Sequence, residues 1–177
     1  MKVTNVKIEH RADTTPDFSF MGEYTDELKP GVIVRRYDEF FENLPDETEM
    51  PEKGREYRAF KPYAGGEKVG TPEYYQYGKQ DYERMESYNR QDWAFIGIVA
   101  KATVRFSTSE DDTGITRIHH FRSGGLWGIE SDSGEAYLKE VAQEQLSDLR
   151  AVLDAFGIPV TDEEWSALTI DLEPVLA

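Results

Sequence analysis

Three histidines, a run of glycines and an abundance of carboxylates are the residues through which this 177-residue chain could do chemistry. The histidines stand at His10, His119 and His120. Neighbouring positions on a strand point to opposite faces, so His119 and His120 do not share one ion without a bulge. Either of them, joined by His10 and a carboxylate, would make the site of a small metal-dependent enzyme or ligand-binding domain if the first strand lies beside 115–121. Ordinary sheet histidines are the plainer reading. The chain has no HExxH and no GxSxG pattern, and no spacing brings Ser123 to a histidine and an acid. With no cysteine at all, thiolate catalysis, disulfides and Cys-type metal sites are excluded. The expectation is a chain without catalytic residues, resident metal or cofactor.

The glycines fall in "FRSGGLWGIESDSGEAYLKEV", residues 121–141. A phosphate loop needs backbone N–H groups converging on an anion at a helix N-terminus, usually helped by Lys or Arg. Here Glu130, Asp132 and Glu135 already crowd the start of the following helix, and no GKS or GKT triplet occurs. Gly124, Gly125 and Gly128 therefore read as a bulge or a tight strand-to-helix corner beside Trp127, the corner being the preferred form.

Charge is more informative. The formal net charge is −15, and it is unevenly placed. Residues 93–129 carry three acids and four bases, whereas residues 130–177 carry twelve acids and two bases. Such a balance repels duplex DNA, so direct nucleic-acid binding is not expected. It attracts basic partners. Glu140, Glu144 and Asp148 recur every four residues, roughly 6 Å per step on a helix. Like charges at that spacing cost a few tenths of a kcal/mol each, so a helix built for stability alone would place a cation among them. These three with Asp154, supported by Asp162, Glu163 and Glu164, are the candidate partner-binding residues; a merely solvated face is the bland alternative. Seven of the ten tyrosines fall between Tyr57 and Tyr88. They suit a self-association interface or packing against the sheet.

The elements that must position these groups follow from periodicity. Residues 2–10 alternate as a strand with Val6 and Ile8 on one face. "VIVRRY" (32–37) reads as a second short strand, and 38–70 as irregular chain with one extended piece at "REYRAF" and disorder around 43–54. Thr71, Pro72 and Glu73 open a helix over 71–92, firmest over 79–90 because Gly78 weakens it. "WAFIGIVAKATVRFS" (93–107) is a central strand whose first half is covered on both faces. It turns through "TSEDDTG" into a partner strand at 115–121. Residues 133–156 form the longest helix, with Asp132 and Glu135 as a capping box. Its apolar face runs through Leu138, Val141, Ala142, Leu146, Leu149, Val152, Leu153 and Phe156, and Gly157 and Pro159 end it. Thr161 caps a small helix in an acidic tail.

The fold class expected is therefore α+β: a small, mostly antiparallel sheet containing 2–10, 93–107 and 115–121, covered by the 133–156 helix and by 79–90. One domain spans 1–157, and 158–177 is an acidic tail. No run of about 18–20 apolar residues is present and "MKVTNVKIEH" has no signal-peptide character, which makes a cytoplasmic location the expectation.

Three stretches, "MGEYTDEL" (21–28), "GKQDYERMESYNRQDWAFIGIVAKATV" (78–104) and "SGGLWGIESDSGEAYLKEVAQEQLSDLRAVLDAFG" (123–157), together cover about two fifths of the chain. Their "GGLWGIESD" motif resembles a family of uncharacterised proteins of bacteria, archaea, plasmids and phages. That resemblance carries no activity and no functional residue. It implies a setting, a small accessory protein of a phage or other mobile element. Joined to the acidic C-terminal surface, it suggests a non-enzymatic inhibitor of a basic DNA-binding host defence protein, such as a nuclease, acting as a DNA mimic or steric blocker.

Overall fold

A computed structural model describes residues 1–42, 57–108, 114–158, 160–167 and 170–172. In chain order the strands and helices are β1 Lys2–Ala12, β2 Gly22–Thr25, β3 Ile33–Val34, β4 Glu39–Phe40, β5 Ala59–Pro62, α1 Pro72–Asn89, β6 Phe95–Ser107, β7 Thr116–Arg122, β8 Leu126–Glu130, α2 Glu135–Ala155, α3 Asp162–Ala167 and β9 Ile170–Leu172. The α+β class read from the sequence is the class observed. The chain divides into two compact units, Met1–Pro16 with Trp93–Ala177, and Asp17–Asp92.

The first unit is a five-stranded sheet in the order β7-β6-β1-β9, with β8 also on β6. Among the described residues β9 pairs parallel to β1, and the other pairings of this sheet are antiparallel. β1 alternates as its sequence requires: Val6 and Ile8 are fully buried, and they join Ile96, Ile98, Ala100, Ala102 and Val104 of β6 against Val141, Leu146, Leu149 and Leu153 of α2. Burying one such Leu or Ile contributes about 1.5–3 kcal/mol, so this layer is the main source of the unit's stability. The first half of β6, Phe95 to Ala100, is buried throughout, as its continuous apolar run predicts.

The α2 start differs from expectation. Helix geometry begins at Glu135 with Gly134 as N-cap and no side-chain cap bond, so Asp132 and Glu135 do not form a capping box. The helix ends as read: Gly157, at φ +71°, donates to Asp154 O, and Ile158 donates to Leu153 O. Phe156 sits at that end largely exposed, its ring edge-on to Phe121, rather than inside the apolar face. Pro159 and the expected disorder at 43–54 lie outside the described residues.

The second unit has its own antiparallel sheet in the order β2-β5-β3-β4. The sequence places one strand at 32–37; the structure keeps only Ile33–Val34 and then turns, with Tyr37 N–H and Asp38 N–H both donating to Val34 O. The expectation that helix 79–90 covers the 2–10 and 93–107 strands gives way to a different partner, because α1 packs on β5 of this second sheet. Gly78, read as a weakness, is a fitting device. A Cβ there would lie 2.7 Å from Phe40 Cζ and 2.9 Å from Pro62 Cγ, so its absence lets the helix press onto the sheet. The helix is therefore continuous from Pro72, with Thr71 Oγ1 accepting from Tyr74 N–H at 3.2 Å.

Candidate functional surfaces

The glycine stretch is a bulge in one long strand rather than the strand-to-helix corner. β7 pairs with β6 at Lys101↔Arg122, and β8 resumes pairing on the same strand at Ile98↔Leu126, with the register shifted. Between them Ser123 is buried, donating its N–H to Ala100 O and accepting from Ala100 N–H at Oγ. Gly125, at φ +79°, donates to Oε1 of buried Gln145 on α2 at 3.0 Å. Gly128, at φ +75°, donates to Asp13 Oδ2 at 3.1 Å. Protein groups take up these N–H donors, which leaves Gly125 and Gly128 without the converging donors of a phosphate cradle.

The candidate acids separate into three groups. Glu140, Glu144 and Asp148 are exposed on α2, and none of the three has a cation partner among the described residues. A helix advances about 100° per residue, so the stripe drifts by about 40° at each step of four, from the outer face toward one flank. Nearby cations are committed elsewhere: Lys139 Nζ lies 2.6 Å from Glu135, and Arg150 lies 2.6 Å from Asp162 and donates to Val160 O. Asp154 is exposed on the rim of a cleft of about 420 Å³ that Arg150 also lines. The tail acids are partly structural. Asp162 holds Arg150, and Glu164 accepts from Thr161 N–H and Oγ1–H while its own N–H donates to Thr161 Oγ1. That reciprocal box caps α3, as the sequence predicts for Thr161. It also holds the Glu164 carboxyl below its usual range, the Thr161 backbone hydrogen bond contributing most. Glu163 is exposed.

The histidines fall apart as strand geometry requires. His119 points to the α2 side with its ring edge-on to Phe106, and His120 points to the other side, its Nδ1 3.2 Å from Thr103 Oγ1. Among the described residues no group of three His, Cys, Asp or Glu is placed to hold a metal ion.

The face of the sheet turned away from α2 carries the feature that sequence reading missed. Register aligns Lys7, Lys101 and Arg122 in one row across β1, β6 and β7, with Glu9 and Arg11 on the same face of β1. Glu9 is only 7% exposed, yet it is charged and surrounded: Lys7 at 3.0 Å, Lys101 at 3.5 Å, Arg11 at 3.8 Å and Arg122 at 4.0 Å. Burial alone would raise its carboxyl; the hydrogen bond and charge of Lys7, then the charges of Lys101 and Arg122, outweigh burial and hold it below the usual range. Trp127 lies flat over Gly97 on this face, where any Cβ would collide with its ring carbons, and remains 45% exposed. The signal was present as cations four residues apart on adjacent strands (Lys7 and Arg11, Lys101 and Arg105), but net charge summed over the chain conceals it.

The tyrosines of the second unit divide, with Tyr37, Tyr57, Tyr63 and Tyr77 exposed. Tyr74 and Tyr82 are buried, and Tyr74 donates to Gly31 O at 2.7 Å. Tyr24 donates to Glu86 Oε1 at 2.9 Å and lies under the Arg35 guanidinium, which also reaches Glu86 at 3.0 Å. Burial, then Glu86, hold the Tyr24 hydroxyl far above the usual tyrosine range, so it stays a donor. Glu86 also borders a cleft of about 240 Å³ with Asp38, Lys79, Tyr82, Glu83 and Arg90. Asp38, held at φ +54°, accepts from Tyr82 Oη and Lys79 Nζ.

No family model matches the chain, and no curated protein or solved structure shows significant similarity to it. Among the described residues no helix is long and apolar enough to cross a membrane.

Proposed function

We propose that this protein is a non-enzymatic binding protein that engages a basic partner through the outer face of α2. The observation that carries the reading is the unpaired carboxylate row Glu140, Glu144 and Asp148, exposed while Lys139 and Arg150 are bound to other groups. A row of fixed anions about 6 Å apart presents a basic cleft with spacing comparable to a phosphate backbone. The partner class that fits is a DNA-binding protein, including a defence nuclease met by a phage or mobile element, with the chain acting as a DNA mimic or steric blocker in the cytoplasm. Asp154 and Glu163 extend the surface; Asp162 and Glu164 shape the tail beside it.

The test reverses the row. The wild-type chain and Glu140→Lys/Glu144→Lys/Asp148→Lys are used as bait in host lysate at low and high salt, with retained proteins read by mass spectrometry. Basic nucleic-acid-binding proteins retained by wild type at low salt, released at high salt and missed by the triple variant are expected, because exposed charge pairs are screened. Equal retention by the two baits, with matching circular dichroism, would overturn the reading.

A further inference from the structure

We propose that the sheet face turned away from α2 binds single-stranded nucleic acid, with a base stacked on Trp127 and phosphates on cations from three adjacent strands. Lys101, Arg11 and Arg122 all lie within 4.0 Å of the Glu9 carboxylate, which cannot neutralise all three. Arg11 and Arg122 each keep 46% of the side chain exposed, and both border the path from the Trp127 row to the Lys7–Lys101–Arg122 row. Arg11 stands opposite Gly97 in register, hence beside the indole. Further along, Thr103 pairs with His120 and Arg105 stands opposite Ile118, which is exposed. Rows two residues apart are about 6.6 Å apart and strands about 4.8 Å apart, so the cations form a belt rather than a point.

Among the described residues, the acids Asp13 and Glu130 lie beyond the Trp127 end of this belt. The acidic row on α2 is on the opposite side of the sheet, behind a helix about 10 Å thick. That exceeds a Debye length of about 8 Å at physiological salt, so the two faces act nearly independently. The expectation that nucleic acid is repelled follows from net charge summed over the chain; among the described residues this face gathers Arg11, Lys101 and Arg122 around one carboxylate.

The aromatic ring decides the partner class. An acidic peptide would need the cations alone, whereas a Trp seated on a glycine with its remaining surface exposed is a platform for an unstacked base. A duplex keeps its bases stacked inside and cannot use it.

The experiment is fluorescence anisotropy of a fluorescein-labelled 12-nucleotide oligo(dT) titrated with the full chain. Binding at 50 mM salt is expected to weaken roughly 20-fold at 200 mM, as about three phosphate contacts on a single strand require. Arg11→Glu/Arg122→Glu is expected to weaken it at least tenfold. Trp127→Ala is expected to weaken it about 5- to 150-fold, and Trp127→Phe, which keeps a ring, by only a few fold. Circular dichroism melts identify any variant that fails to fold, and the arginine pair tests the idea without touching the Trp127–Gly97 seat. No anisotropy change at 100 µM (about 100-fold above a micromolar Kd) in 50 mM salt would overturn the proposal. So would charge reversal without effect, or equally tight binding of a duplex or a sulfated oligosaccharide. None of these variants alters α2, so success or failure here is separable from that of the acidic surface.

Discussion

Replacing Glu9 by glutamine would leave four cations of β1, β6 and β7 facing one another without the carboxylate that binds them. The size of the loss can be worked from the contacts. Lys7, at 3.0 Å, makes a charge-assisted hydrogen bond to a nearly buried group, worth about 1.5–3 kcal/mol. Lys101, Arg11 and Arg122, at 3.5–4.0 Å and partly exposed, add a few tenths each. Glu9→Gln should therefore cost about 2–4 kcal/mol at pH 7, or about 4–16 °C in Tm for a chain of this size. The pH dependence has a definite sign. The folded-state carboxyl lies below its unfolded value, so its contribution is complete above the unfolded carboxylate range of about 4.3 and is lost as pH falls through the lower folded value. Urea melts of wild type and variant at pH 7 and stepwise into acid measure both. The gap should close as Glu9 protonates in the folded chain. A gap under about 0.5 kcal/mol at pH 7 would refute the reasoning, since surface changes without a structural role fall in that range.

Three further outcomes follow from packing. Gly97→Ala drives a methyl into the Trp127 ring; about 1–3 kcal/mol of destabilisation, with a shift in tryptophan emission, is expected from chemical denaturation followed by fluorescence. Gln145→Leu removes the acceptor for Gly125 N–H in the bulge. It should cost about 1–3 kcal/mol and speed hydrogen exchange at Gly125 while leaving α2 amides protected. Leu149→Ala, at a side chain with no exposed surface, should cost about 3–5 kcal/mol in urea. A loss below 1 kcal/mol would mean that α2 does not seal this core.

The long elements were legible because their patterns repeat. Alternation in 2–10 and in 93–107 predicted two strands that pair directly, and the apolar spacing of α2 predicted the side it buries. What escaped was short or non-local. β3 and β4 are two residues each, too brief for any period, and β9 is a three-residue parallel edge strand that nothing near it in sequence announces. Gly124 and Gly125 read as an ending because glycine usually punctuates; here the buried Gln145, twenty residues on, supplies the bond that lets the strand continue. Glu9 and its cations escaped for the same reason, since only register brings β1, β6 and β7 together.

The register pair Ala12↔Ile96 has a consequence for how the molecule is assembled. The chain leaves the first sheet next to the point at which it returns, and Asp17–Asp92 is spun out between them as an insertion. That insertion is contiguous and can form as soon as it is synthesised. The β1–β6 core must wait for the detour to finish, and β9 can join only at the far end of the chain. Long-range closure of this kind slows folding, so a nascent chain stalled before residue 170 would carry a finished insertion while the β1 edge of its first sheet is still bare.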